Sequence, residues 1–519
     1  MEALRQGARP LSEPAEGGAL VFVGFMGAGK SSAARTVAAE LGAQALDSDR
    51  ELERQLGEPL ESFFDREGEA AFRAREQELV LRLLERPRSP VIALGGGAVA
   101  SPAVREALRG HTVVHLEVDP DAAWRRASGK GRPLARERER FDQLHRDRQA
   151  LYESVADAVL PPCERDAPRR ALPALLALRE APAETRLVWA STASGDYPVF
   201  LGRGLIASDF FYPRDGRRFV VTDEHVDRHH RMDCEARVVC VAGEEHKTIH
   251  GAEFVLRQLA QAGAERGDLV VAVGGGVVGD VAGFSAAIYQ RGMRHVQVPT
   301  TVVAQVDSAY GGKTGVDLPE GKNYAGAYHQ PAAVLCDLAA LDTLPLEEMA
   351  VGYPEVLKSA LIAGGPLWAR VRQGGPLDAE VILGCLRTKL AVVAEDERDV
   401  GRRQVLNLGH TVGHAIEAAT GYARYRHGEA VGIGLLVALR LSGRDPLRKE
   451  VADLLESRGL PLSFTGASVD EVLTLVERDK KRSGGRVPFV LVEAPGDVTP
   501  GHDIAPGELR AAVEEVHAG

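Results

Sequence analysis

Cysteine is scarce in this chain. Its 519 residues hold five, Cys163, Cys234, Cys240, Cys336 and Cys385, with no CxxC pair and an odd total. That pattern excludes a disulfide framework and a cysteine-built zinc site, and it points to a reducing cytoplasm. Long apolar runs are missing too: none reaches the roughly 18 residues that a membrane-spanning helix needs. The N-terminus shows no charged-then-apolar leader pattern. Positive charge is in deficit, 63 Lys+Arg against 74 Asp+Glu, for a net −11. This argues against nucleic acid or an anionic membrane as a general partner, so anionic small molecules must be held by local basic clusters. The remaining balance, 45% hydrophobic and 26% charged, is that of a globular protein. The length fits three to four domains, or two large ones.

Residues 1–17 are polar and rich in Gly, Pro and Glu, and are expected to form a disordered tail. A first block, 18–165, opens with an apolar strand at Leu20–Val23, a glycine loop and an Ala-rich helix; further strands are expected at Val91–Leu94 and Thr112–Val118. The stretch 166–184, rich in Pro, Ala and Arg, reads as a linker or domain-closing element, although ALPALLALRE has the makings of a short helix. A second block starts at 185, with strands expected at Phe219–Thr222, Val238–Val241, Leu269–Val273 and Val296–Pro299. From 346 to 519 the periodicity is mostly helical. Strands alternating with helices imply parallel sheets covered on both faces, an α/β class. No repeat relates the blocks; the chain reads as two fused enzymes.

The densest chemical signal is NLGHTVGHAIE, Asn407–Glu417, followed by His427. His410 and His414 are spaced i, i+4 and leave one helix face together. Three imidazoles, or two with a carboxylate, can hold a catalytic zinc and leave positions open for substrate. A single helical histidine is more often a satisfied core residue, but two at this spacing with a third close by favour a metal. Thr411 stands where a protease HExxH motif would place its glutamate base, so a peptidase is excluded.

In the first block, Gly24-Phe-Met-Gly27-Ala-Gly29-Lys30-Ser31 matches GxxxxGK[ST] between a strand and a helix. Backbone N–H groups there cradle phosphates, Lys30 neutralises them, and the Ser31 hydroxyl ligates Mg²⁺. Asp47-Ser48-Asp49, then Phe72-Arg73-Ala-Arg75-Glu76, Gly95–Gly97, a Gly129-Lys-Gly-Arg132-Pro133 segment and Arg148 follow in order. Taken singly, the aspartates read as turns and the arginines as solvated faces. As a series they resemble shikimate kinase over essentially the whole block. The resemblance implies ATP held by Gly27, Gly29, Lys30, Ser31, Ser32 and Arg125, and Mg²⁺ held by Ser31 and Asp47. It implies an acceptor oriented by Asp49, gripped by Arg73 and Arg148 and walled by Gly95, Gly96 and Gly97, with Arg132 arriving on a lid. Another small-metabolite kinase, such as a gluconate kinase, is the alternative.

In the second block, Gly274-Gly275-Gly276-Val-Val-Gly279-Asp280 ends a buried strand, where glycines admit a pyrophosphate or simply make a tight turn. Asp307-Ser-Ala-Tyr-Gly-Gly-Lys313, Gly321-Lys322-Asn323, Glu355-Val-Leu-Lys358, Arg403 and HGEAVGIG accompany it. From about 185 onward the arrangement resembles 3-dehydroquinate synthase. That implies an α/β nucleotide-binding domain, 185–345, followed by a mainly helical metal- and substrate-binding domain, 346–519, behind the P-loop kinase domain. It assigns Glu355, His410 and His427 to Zn²⁺ or Co²⁺. It assigns His414, Arg291, Asp307, Lys313, Asn323, Lys358, Lys389, Arg403, Asn407 and Lys480 or Lys481 to the substrate. The nicotinamide cofactor would meet Asp223, Glu244, Lys247, Gly275, Gly276, Asp280, Thr300, Thr301 and Lys322. A homodimer through this block is a further expectation.

Three positions depart from the family pattern: Asp399 for glutamate in DERDVGRR, His225 for asparagine, and Tyr310 for a smaller residue. None removes an expected ligand. The competing readings are a metal-dependent polyol dehydrogenase, a cyclase for another sugar phosphate, or a catalytically dead binding module in one of the blocks.

Overall fold

The computed structural model of the chain describes residues 18–86, 90–128, 133–162, 166–208, 210–482 and 488–518. It divides into two compact units, with the division between Ala190 and Ser191.

The first unit runs β1 (Leu20–Val23), α1 (Lys30–Leu41), β2 (Ala45–Asp47), α2 (Ser48–Leu56), α3 (Leu60–Leu84), β3 (Val91–Ala93) and α4 (Pro102–Leu108). It continues with β4 (Thr112–Leu116), α5 (Pro120–Ala127), α6 (Arg138–Val155), β5 (Ala158–Leu160), α7 (Ala167–Leu178) and β6 (Arg186–Thr192). The strands lie parallel in the order β2-β3-β1-β4-β5-β6. β1 is apolar and buried throughout because it lies mid-sheet with helices on both faces. Asp119-Pro120 starts α5 as its residue types dictate: the aspartate side chain accepts from Ala122 N at 2.8 Å and the proline takes a position needing no N–H.

The order places β2, β3 and β1 side by side, so the loops leaving their C-terminal ends meet at one edge. Those loops carry Asp47–Asp49, Gly95–Gly97 and the P-loop. The segment expected as a linker contributes α7, whose alanines and leucines are buried against α1. Its Pro168 sits in the first helical turn, where proline is tolerated.

The second unit begins with β7 (Gly195–Gly202), β8 (Arg218–Asp223), β9 (Ala236–Cys240), α8 (Ile249–Gln261), β10 (Leu269–Gly274), α9 (Gly276–Ile288) and β11 (Arg294–Pro299). A hairpin of β12 (Lys313–Leu318) and β13 (Gly321–Tyr328) and the strand β14 (Ala333–Asp337) complete this half. The parallel order is β7-β14-β11-β10-β8-β9. The expected strands are present within a residue or two at each end. The helical half holds α10 (Leu346–Ala363), α11 (Gly365–Val371), α12 (Ala379–Glu395), α13 (His410–Ala419), α14 (His427–Leu441), α15 (Asp445–Glu456) and α16 (Val469–Arg482). It is not wholly helical: a hairpin, β15 (Phe489–Ala494) and β16 (Asp497–His502), precedes the last helix, α17 (Pro506–Glu514).

Glycines let three of these helices touch backbone to backbone. A Cβ at Gly428 on α14 would lie 1.7 Å from Val351 O on α10, and one at Gly434 would lie 1.9 Å from Gly409 O at the start of α13. The close approach aims residues of α10, α13 and α14 at one point.

Candidate active sites

That point is the carboxylate of Glu355. His410 Nε2 lies 3.3 Å and His427 Nε2 3.4 Å from its Oε1, while Lys358 Nζ is 2.5 Å from Oε2. Glu355 is wholly buried, and neither oxygen has a hydrogen bond of good geometry despite these short approaches. Burial works against its charge, but Lys358 and His410 outweigh it and hold the carboxyl well below the usual range. A buried anion with two imidazole nitrogens converging on one oxygen fits a divalent ion. His414 completes a set of three imidazoles whose ligand atoms lie within 4.8 Å of one another. Its side chain is accessible from the cavity it lines, as a substrate-facing residue's would be, while the cavity walls enclose it. Burial and the two neighbouring imidazoles push it down to about 3, so it is neutral.

Next to the metal-fitting group lies a cationic cluster. Lys358 Nζ is 2.6 Å from Asp307 Oδ2, and Lys389 pairs with the other oxygen of the same carboxylate. Asp307 thus spaces two buried ammonium groups. Lys313 pairs with Asp399. Arg403 is buried and committed, donating to Glu397 O at 2.6 Å and Gly311 O at 3.1 Å, so it braces the loops beside Lys313. Asn407 is exposed just ahead of α13.

The cavity has a volume of about 1770 Å³, enough for a dinucleotide and a second small molecule. Every residue expected to meet the nicotinamide cofactor lines it, from Asp223 to Lys322, together with Asn323. The sheet order explains this, since β8, β10 and β11 are adjacent, Asp223 ends β8, and Gly275–Gly276 and Thr300–Thr301 follow β10 and β11. Gly275 caps α9, leaving that helix N-terminus open to an anion. Thr300 Oγ1 is buried with no hydrogen-bond partner, as a cofactor-facing hydroxyl would be. Burial works against charge on Lys247, but Asp280, 2.5 Å away, and Glu244 hold its pKa above the ordinary value.

In the first unit Gly24, Gly27 and Gly29 have φ of 142°, 86° and 94°, a curl that only glycine adopts cheaply and that turns backbone N–H groups inward. Lys30 Nζ reaches back to Gly24 O and Phe25 O at 2.9 and 3.0 Å. Gly27, Gly29 and Ser32 line a cavity of about 590 Å³. Beside it, Asp47 caps α2 through Asp49 N and Arg50 N. A Cβ at Gly95 would lie 2.4 Å from Asp49 Oδ1, and one at Gly97 only 2.0 Å from Arg73 Nη1. The glycine wall therefore exists to make room for these two side chains. Arg148 Nη1 donates to Gly96 O at 3.0 Å.

Comparison with known proteins separates the possible readings. The shikimate kinase family matches residues 26–172, and the N- and C-terminal regions of 3-dehydroquinate synthase match 237–351 and 352–482. The 3-dehydroquinate synthase of Nitrobacter hamburgensis is 40% identical over 361 residues, spanning 62% of this chain and 94% of that protein. That of Caulobacter vibrioides is 41% identical over 355 residues, spanning 62% and 95%. The chain belongs to the 3-dehydroquinate synthase family, with a shikimate kinase fused ahead of it. It is therefore a bifunctional enzyme of the shikimate pathway, a kinase and a lyase acting on small molecules. Among solved structures, the 2-epi-5-epi-valiolone synthase of Streptomyces hygroscopicus, determined with NAD⁺ and Zn²⁺ bound, shares the fold at 24% identity. Its TM-score is 0.57, over 63% of this chain and 98% of that one.

In the kinase unit Arg125 and Arg126 are both exposed, but only Arg126 lines the cavity beside the P-loop, donating to Gly27 O at 3.0 Å. Both lie in the last turn of α5, but one helical step turns a side chain by about 100°, and only Arg126 faces the P-loop. Two acceptor-site neighbours carry no role in the motif reading. Glu76 fixes Arg73 at 2.5 Å, and Tyr152 donates to Gly96 O at 2.6 Å. Arg132 lies outside the described residues.

In the synthase unit Arg291 is exposed in the turn after α9, and among the described residues no hydrogen bond or ion pair joins it to the Asp307 cluster. Lys480 and Lys481 fall in α16, and their side chains lie outside the described residues. Tyr310 is a fully buried core residue donating to Gln305 O at 2.9 Å, so this departure does not reach the site. His225 is exposed, and its backbone N–H caps onto Asp223 at 2.9 Å. Glu417, at the end of the histidine motif and given no role by the motifs, lies beside His427, its Oε2 3.3 Å from Nδ1.

Proposed function

We propose that the synthase unit converts the linear seven-carbon 3-deoxy sugar-acid phosphate to 3-dehydroquinate using NAD⁺ and Zn²⁺ or Co²⁺. The kinase unit uses ATP with Mg²⁺ to phosphorylate shikimate. The observation that carries the first reading is the adjacency of Glu355, with its two imidazoles, to the Lys358–Asp307–Lys389 cluster. A polyol dehydrogenase has no need of buried ammonium groups beside its metal; a substrate bearing both a carboxylate and a phosphate does.

Glu355, His410 and His427 would hold the ion, and the cavity between Asp223 and Thr301 the dinucleotide. Bound together, they would supply reversible oxidation of a substrate alcohol and polarisation of the carbonyl so formed. The chain's own side chains do the rest. Lys313, Lys358 and Lys389 bind and orient the anionic groups, and neutral His414 faces the substrate as a hydrogen-bond partner. Asp399 Oδ1, buried and unpaired, accepts a substrate hydroxyl. In the kinase unit Ser31 and Asp47 would hold Mg²⁺. Lys30 steadies the transferring phosphoryl group, Asp49 orients the acceptor hydroxyl, and Arg73 and Arg148 fix its carboxylate.

Exposed Val239, Val241, Ile249, Phe254 and Ile288 on β9, α8 and α9 and the turns beside them favour a homodimer through the synthase unit. Cys234, Cys240, Cys336 and Cys385 are free thiols, which suits the cytoplasm. Among the described residues no helix is long and apolar enough to cross a membrane.

The test is phosphate release from the sugar-acid phosphate with NAD⁺ and Zn²⁺, followed by shikimate-dependent ADP formation. Release without net NADH is expected. NADH in proportion to turnover, or no reaction unless a polyol is supplied, overturns the cyclase reading.

A further inference from the structure

The face of α13 that presents His410 and His414 continues to Glu417, at i+7 of the first and i+3 of the second. Its side chain is 2% exposed, and both carboxylate oxygens are engaged. Oε2 is 3.3 Å from His427 Nδ1; Oε1 is 3.1 Å from Lys322 Nζ, which also lies 3.4 Å from Glu244. Nothing in the cyclisation chemistry calls on a carboxylate behind the imidazoles.

We propose that Glu417 is a positioning residue: it fixes the tautomer and direction of the metal ligand His427, and Lys322 holds it there. An ionised carboxylate can only accept, so the hydrogen must sit on Nδ1. That leaves the lone pair on Nε2, the nitrogen facing Glu355 Oε1. Without an anchor at Nδ1 the ring is free to rotate or to take the other tautomer, and either change removes a donor from the ion. Lys322 extends from the β12–β13 hairpin and lines the cofactor cavity, so the brace joins the metal-fitting group to that cavity. This inference rests on the assignment of Glu355, His410 and His427 to an ion.

The experiment measures Zn²⁺ affinity of the metal-stripped full-length protein by competition with a chromogenic chelator, with no substrate turned over. Wild type, Glu417→Gln and Glu417→Ala are compared, and melting temperatures are recorded alongside. The alanine variant is expected to bind Zn²⁺ about 10–100-fold more weakly. The glutamine variant, which keeps one acceptor oxygen and the volume, is expected to fall between. If alanine does not fold, the glutamine variant carries the test. Zn²⁺ affinity equal to wild type in a folded variant, whether or not its melting temperature drops, overturns the proposal. Wild type that binds no Zn²⁺ would instead overturn the metal assignment itself.

Discussion

Lys313, at the first position of β12, pairs with Asp399, which lies 86 residues further along in the turn after α12. Asp399 holds φ at 62°, a left-handed conformation that aspartate tolerates better than most residues. Lys313 is half exposed, and the pair ties the start of β12 to that turn. Asp399 Oδ1 remains buried and without a partner. Asp399→Ala removes the anchor of Lys313 and the unpaired acceptor together. Hydrogen bonds to charged groups are worth about 1.5–3 kcal/mol, and solvent around Lys313 favours the low end. The expected loss is about 10-fold in kcat/KM for cyclisation, with Asp399→Glu close to wild type and shikimate phosphorylation unchanged. Steady-state kinetics of both activities on each variant checks this.

The kinase acceptor site is tested most cleanly at Gly97. Its φ of −99° suits any residue, so Gly97→Ala strains no backbone. The added methyl instead meets the Arg73 guanidinium and displaces it from Glu76. KM for shikimate is expected to rise about 10-fold or more, from the loss of a charge-assisted contact, while KM for ATP and the melting temperature stay put. A rise in both Michaelis constants would show that the methyl disturbs the P-loop as well.

Arg126 and Arg125 make a matched pair. Arg126→Ala removes a guanidinium that lines the nucleotide cavity and donates to Gly27 O. Arg125→Ala removes one in solvent. KM for ATP is expected to rise several-fold in the first variant and to match wild type in the second. The reverse pattern would restore Arg125 to the nucleotide site.

Arg125 and Arg126 show where sequence stops. A motif gives the residue types in a turn of helix, but which of two neighbours faces the ligand depends on the helix's rotation, which packing of Ala123 and Ala127 sets. The strands that begin each site were legible because they are short apolar runs ending in glycine or aspartate: Leu20–Val23 and Leu269–Gly274 are examples. The β12–β13 hairpin was not. KTGVDLPEGKNYAGAY mixes glycine and charge with no alternating apolar face, yet it carries Lys313, Lys322 and Asn323. The stretch 166–184 read as a linker because of its prolines, while its alanines and leucines bury a helix. Glu417 was within reach: its spacing from both histidines puts it on their face, and only its pairing with His427, from another helix, needed the fold.

Lys389 offers a test in which two effects of pH have opposite sign. Burial lowers its pKa below that of a free lysine; Asp307 opposes this, and the positive charges of Lys358 and Arg403 reinforce it. Lys358 is held above its ordinary value by Asp307 and Glu355 despite burial, so it stays charged while Lys389 titrates. Binding a substrate anion needs the charged amine, so KM should climb as pH rises through the depressed pKa, earlier than an ordinary lysine would allow. Stability runs the other way. The unfolded chain binds the proton more tightly than the folded one, so this group's contribution improves as pH rises through the same window. Lys389→Arg, with a guanidinium that stays charged, should carry the KM limb to higher pH; Lys389→Met should raise KM at every pH and flatten the limb. The measurement is KM for the sugar-acid phosphate against pH from neutral upward, with melting temperatures over the same range. An alkaline limb that Lys389→Arg leaves in place would assign it to another group.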